Sequence, residues 1–92
     1  MKHKPYGWAV EQYGYGIFGI GKTKKEALLD ANEWVGPGEK LDPEEVHGPD
    51  HRVDGDFRFV LVTKEVYDLV EQGYGDRWFD EDEDGVLYVD NE

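Results

Sequence analysis

The sequence predicts an α+β domain: a small antiparallel sheet and two helices packed on one of its faces, in the order ββα-βαββ. Two segments, near residues 24–35 and 64–72, carry apolar residues at helical spacing behind a threonine. Other segments, near residues 6–20, 57–62 and 78–89, are rich in aromatic and β-branched residues and punctuated by glycine. Ninety-two residues with 38% apolar content and three tryptophans suffice for one core, so a single domain spanning 1–92 is expected.

The first hairpin is read from Trp8 and Val10 alternating with smaller neighbours, a turn at Gly14 and Gly16, and the return of Tyr15, Ile17, Phe18 and Ile20. Thr23-Lys24-Lys25-Glu26 is a capping box, so a helix starts there. On that helix Ala27, Leu28, Ala31, Trp34 and Val35 share a stripe predicted to pack on the sheet, and Gly36-Pro37-Gly38 ends it. Leu29 falls on the polar face and is an exposed apolar contact candidate. Residues 39–56 read as loop, with one helical turn started by Asp42 and Pro43. Phe57 to Val62, interrupted only by Arg58, reads as a central strand. Thr63 caps the second helix, Gly73 stops it, and Trp78-Phe79 with Val86 to Val89 form a closing hairpin around Asp84-Gly85.

Several chemistries are excluded or weakened. With no cysteine there is neither a disulfide scaffold nor a thiolate metal site, and with no serine there is no Gly-x-Ser-x-Gly nucleophile. His3, His47 and His51 do not have the spacing of a standard zinc set. No segment approaches the roughly 18 apolar residues of a membrane span, and MKHKPYGW lacks the apolar stretch of a secretion signal, so a cytoplasmic protein without membrane contact is expected. Gly16 to Thr23 matches the phosphate-loop pattern GxxxxGK[ST], with Val86 to Asp90 as a superficial magnesium strand. Ile17, Phe18 and Ile20 read instead as strand side chains, and the capping box accounts for Thr23 without a nucleotide. Asp80, Asp82, Asp84 and Gly85 match the start of a calcium loop, but its twelfth position is Asn91, with Glu92 one step late, which leaves at most a weak calcium site. The expectation is a protein that is not an enzyme and carries no cofactor.

Charge supplies the positive argument. Twenty-two acidic residues against ten basic ones give a net charge of −12, which opposes nucleic acid and favours a basic partner. Lys2, Lys4, Lys22, Lys24 and Lys25 concentrate positive charge at the N-terminus, whereas Glu65 to Glu92 hold eleven carboxylates and only Arg77. The candidate partner-binding row is Glu65, Asp68 and Glu71, then Asp76 and the run Asp80, Glu81, Asp82, Glu83 and Asp84. Secondary contacts are Leu29, Lys22, Lys24 and Lys25. Direct nucleic-acid contact is expected only through the lysine-rich N-terminus.

Tyr15 to Val35, with its glycine-rich hairpin, Thr-x-x-Glu cap and amphipathic helix, resembles the opening of the partial ribonuclease-H-like domain of HicB-type antitoxins. That likeness covers under a quarter of the chain, and no DNA-binding module follows it. In size, acidity and lack of active-site residues the whole chain resembles small phage-encoded inhibitors of the anti-CRISPR and anti-restriction type, some of which are DNA mimics. This second resemblance implies a non-catalytic inhibitor in the bacterial cytoplasm. It would present an acidic surface to the basic nucleic-acid-binding site of a defence protein or ribonucleoprotein. The first implies an antitoxin-type module that neutralises a basic nuclease.

Overall fold

The computed structural model describes residues 3–35, 38–77 and 79–89. The first hairpin is β1 (Gly7–Gln12) and β2 (Gly16–Gly21), followed by α1 (Lys24–Trp34). A single 3-10 turn at Pro43–Glu45 lies in the long loop, and β3 (Phe57–Val62), α2 (Lys64–Glu71), β4 (Asp80–Glu81) and β5 (Val86–Tyr88) complete the chain. The α+β class and the ββα-βαββ order are those read from the sequence. Both helices start at the expected caps: Thr23 Oγ1 accepts the Glu26 amide at 3.1 Å, and Thr63 Oγ1 accepts the Val66 amide at 3.4 Å. Glu26 answers the Thr23 hydroxyl at 3.2 Å. Gly16 to Gly21 is a paired strand, so the phosphate-loop pattern is the strand-and-cap arrangement favoured above. Lys2, Gly36, Pro37, Trp78, Asp90, Asn91 and Glu92, to which the sequence reading gave roles, lie outside the described residues.

Two details of the sheet differ from expectation. The strand order is β2-β1-β3-β5-β4, and β5 runs parallel to β3 through Leu61↔Val86 and Val62↔Leu87, so the sheet is mixed rather than antiparallel. The closing hairpin places its second strand, not its first, against β3, which sets that direction. Its first strand also lies later than predicted, at Asp80–Glu81, with Asp80↔Tyr88 and Glu81↔Leu87 paired. The early half of β3, which β5 does not reach, is completed by the loop. His47 N–H donates to the Phe57 carbonyl at 2.9 Å and Phe59 N–H to the His47 carbonyl at 2.8 Å.

The helices also cover opposite faces of the sheet, not one. Val10 and Phe59, paired across β1 and β3, pack with Ala27, Leu28 and Ala31 of α1 and with Val46 of the loop. Ala9 and Val60, the next pair, point the other way and pack with Ile20, Val62 and Leu87 against Val66 of α2, with Tyr67 and Val70 beside it. A strand buried on both sides needs apolar residues in succession, and Phe57 to Val62 supplies them. A bulge after Val10 leaves Phe18 unpaired, and its ring packs edge-on against Phe57 at 5.4 Å.

Trp34 departs from its predicted place in the core. It shares a helical stripe with Ala27 and Ala31 yet is 74% exposed, because β2 is an edge strand and the last turn of α1 overhangs it. Close approach of α1 to β2 depends on Gly19, where a Cβ would lie 2.2 Å from the Ala31 amide nitrogen and 2.5 Å from the Ala27 carbonyl. These are backbone atoms inside a helix and cannot step aside singly.

Gly19→Ala is therefore expected to destabilise the fold by about 1–3 kcal/mol, the usual cost of overpacking. Gly48→Ala, with open space around it, should stay within about 0.5 kcal/mol of the parent. Urea midpoints would show the difference, and equal midpoints for the two variants would contradict the contact.

Candidate functional site

Because α1 and α2 lie on opposite faces and both reach the β2 edge, they wall a groove whose floor is β2. Ile17, Phe18, Ile20 and Gly21 line the floor; Leu29 and Trp34 stand on the α1 side, and Tyr67 and Val70 on the α2 side. Leu29 is 61% exposed, so its place on the polar face of the helix gives a solvent-facing apolar side chain. Glu26, Asp30, Glu33, Glu71 and Asp76 rim these apolar groups, and no Lys or Arg is among the described lining residues. The Tyr67 phenol is held above its usual value of 10.0 by burial first, then by Glu71, Tyr6, Glu26 and Asp30, as expected where negative potential gathers.

The outward amides of β2 are already occupied. Ile20 N–H donates to Asp30 Oδ2 at 3.0 Å, and Ile17 N–H donates to the Gly75 carbonyl at 2.8 Å. An edge blocked in this way is a poor template for an added strand, so a ligand of the groove has to be read by side chains. The arrangement offers an apolar anchor point inside a ring of negative charge.

The carboxylates singled out in the sequence are divided between distant places. Glu71 and Asp76 line the groove at the β2 edge. Asp80 to Asp84 belong to the hairpin at the β4 edge, and five strands at the usual spacing separate the two edges by about 19 Å. On α2, Glu65 is exposed and Asp68 accepts from Lys64 Nζ at 2.7 Å; that bond, then the charge itself, raises the Lys64 pKa. Asp80, Glu83 and Asp84 are exposed, whereas Glu81 turns inward. Asp82 Oδ1 accepts the Asp84 amide at 2.9 Å and the Val86 amide at 3.0 Å, so Asp82 shapes the turn. Among the described residues, Asp80, Asp82 and Asp84 do not bring ligand atoms within 4.8 Å of one another. Of the lysines, Lys22 Nζ sits 3.4 Å over the Tyr6 ring and Lys24 Nζ 4.7 Å over the Trp8 ring, while Lys25 is exposed at the start of α1.

Sequence reasoning missed the ionic centre of the molecule. Arg58, a single charge in an apolar strand, is 1% exposed. Its Nε donates to Glu11 Oε1 at 2.7 Å, its Nη2 to Glu81 Oε1 at 2.8 Å and its Nη1 to the Pro49 carbonyl at 2.6 Å. The Tyr13 ring lies 4.9 Å from the guanidinium carbon, and Arg52 adds a second cation to Glu81 at 2.6 Å. Burial disfavours the Arg58 charge, but the hydrogen bonds it donates to Glu81 and Glu11, together with their charges, outweigh it and leave its pKa raised. Burial raises Glu11 as well, and there it outweighs the opposing pull of Arg58. The available signal was the charge itself, since a lone arginine in a buried strand requires acidic partners, although spacing does not say which.

No family model, curated protein or solved structure matches this chain.

Arg58→Ala leaves Glu11 without its cation and Glu81 with Arg52 alone, and should cost about 3–5 kcal/mol in urea unfolding. Arg58→Lys should fall between that variant and the parent, because one ammonium cannot reproduce the forked contacts. For Glu11 the raised pKa means that the folded state holds the proton more firmly than the unfolded chain. Its titration contributes stability fully present below 4.5, the ordinary value, and lost as pH rises through the raised value. The stability of the parent relative to Glu11→Gln should accordingly shrink across that window. A difference growing as pH rises would show that Arg58 wins over burial at Glu11, and one independent of pH that the two cancel.

Proposed function

We propose that the protein is a non-catalytic binding protein whose groove along β2 seats a basic, amphipathic segment of a nucleic-acid-binding partner. The consequence of docking is competition with nucleic acid for that partner's basic surface, which is how an inhibitor of a bacterial nucleic-acid-targeting defence complex would act. One observation carries the reading: five carboxylates surround exposed Leu29 and Trp34, with no cation among the described lining residues. Lys and Arg side chains would meet the rim while an apolar side chain enters between Leu29, Trp34 and Val70. Rim charges mainly speed and orient the encounter, whereas the central aromatic and leucine supply the anchor. The exposed carboxylates Glu65, Asp80, Glu83 and Asp84 would extend the negative field beyond the groove.

The test has a binding arm and a competition arm. Isotope-labelled protein is titrated with a Lys/Arg-rich amphipathic helical peptide and with a peptide of the same composition but scrambled apolar spacing. Saturable shifts centred on Leu29, Trp34 and Tyr67 are expected for the first peptide, with affinity falling as salt rises. A Leu29→Ser/Trp34→Ala variant should bind at least about tenfold more weakly, the scale of losing one hot-spot contact. Changing Asp80, Asp82 and Asp84 to Asn should have little effect. In the second arm, purified guide-RNA and restriction complexes are assayed for DNA binding with and without the protein. Loss of DNA binding that depends on Trp34 supports inhibition. Dependence on the Asn triple variant alone would move the contact to the β4 edge and overturn the groove reading. Inhibition of an isolated basic ribonuclease, with the defence complexes untouched, would point to the antitoxin-type alternative.

A further inference from the structure

A second cluster lies apart from the groove, in the loop between the 3-10 turn and β3. The rings of His47 and His51 stack with centroids 3.7 Å apart and planes within 12° of parallel. His51 Nε2 is 2.8 Å from Asp56 Oδ2. One ligand atom from each of His47, His51 and Asp56 lies within 4.8 Å of the others, the only such trio among the described residues. All three side chains reach solvent; those of His51 and Asp56 are 28% and 47% exposed.

We propose that His47, His51 and Asp56 form a divalent transition-metal site suited to zinc. Two imidazoles and one carboxylate are borderline ligands that favour zinc over magnesium or calcium, and solvent exposure leaves a fourth position for water. Ligand atoms around a tetrahedral zinc stand about 3.3 Å apart, given bond lengths near 2.0–2.2 Å. The trio reaches that spacing by rotating side chains, with the backbone already held. His47 is bonded on both sides to β3, His51 N–H donates to the Gly48 carbonyl at 3.1 Å, and Asp56 bonds through its amide to Val53 and through its carbonyl to Tyr13. Zinc would take the place of the His51 Nε2···Asp56 Oδ2 hydrogen bond, with the neutral imidazole carrying its proton on Nδ1, and would draw His47 in as the third ligand. The same loop supplies the Pro49 carbonyl to Arg58 and carries Arg52 to Glu81, so the metal also braces the ionic centre.

Untagged, chelator-washed protein is titrated with zinc chloride by calorimetry in the presence of excess magnesium, and the histidine ring resonances are followed in parallel. One zinc per chain is expected, with shifts at His47 and His51 and none at His3, which stacks on Tyr88 elsewhere. Thermal denaturation should shift upward with zinc. His47→Ala, His51→Ala and Asp56→Asn should each weaken zinc at least about tenfold, while Asp80→Asn/Asp84→Asn should not. If a histidine variant fails to fold, the ring resonances of the parent still decide the matter. Zinc uptake abolished by magnesium, uptake that leaves the His47 and His51 rings unshifted, or no uptake by the parent would each overturn the site.

Discussion

The buried guanidinium of Arg58 is the constraint on which the remaining architecture depends. It sits on β3 and binds β1 through Glu11, β4 through Glu81 and the long loop through Pro49. The first strand, the fourth strand and the loop that leads into β3 are thereby gathered on one side of the sheet. Replacing such a network with apolar residues of equal volume is often neutral or better for stability, so its value lies in specifying which strand goes where. That matters here because β4 and β5 are short and have little backbone pairing to define their register. Arg52 reinforces Glu81 from outside, so the two-residue β4 is held as much by charge as by its ladder.

Covering both faces of a five-stranded sheet with only two helices leaves its edge strands unequally protected. At β4 the edge is short and acidic. At β2 two helices overhang, and the space between them becomes the groove. Apolar side chains that a larger protein would bury, Leu29 and Trp34 among them, remain in solvent there. Contiguous exposed apolar patches rimmed by polar residues are a feature of interaction surfaces. Negative charge on this rim also opposes self-association, since two copies would bring ten carboxylates together.

Much of the fold was legible because it is encoded locally. Threonine caps, the glycine turn after Gln12 and the apolar run at Phe57 each carry their own structural instruction, and each lies where expected. What was not legible depends on partners distant in sequence. Helical periodicity assigns Trp34 to the same stripe as Ala27 but cannot say that the sheet ends before reaching it. Alternation in β1 shows two faces, yet only contact with α1 and α2 reveals that both are covered. Leu29 was identifiable because its exposure follows from its own helix. The rim carboxylates Glu26, Asp30 and Glu33 were not, because they read as an ordinary solvated face until α2 stands opposite them. Likewise Glu81 looked like one member of an acidic run, and only Arg58 and Arg52 distinguish it.

The position of β5 between β3 and β4 bears on how the chain is made as well as on how it stands. A strand near residue 86 occupies an inner place in the sheet, beside the end of a strand completed more than twenty residues earlier. During synthesis the first hairpin, α1 and β3 emerge in time to meet one another, but Leu61 and Val62 await their second neighbour until Leu87 leaves the ribosome. Cooperative closure therefore waits for Val86 and Leu87, with one flank of β3 open until they arrive. Topologies of this kind fold slowly for their size, because distant segments must meet before their contacts repay the ordering. Until then the most apolar strand of the fold is covered on one flank only.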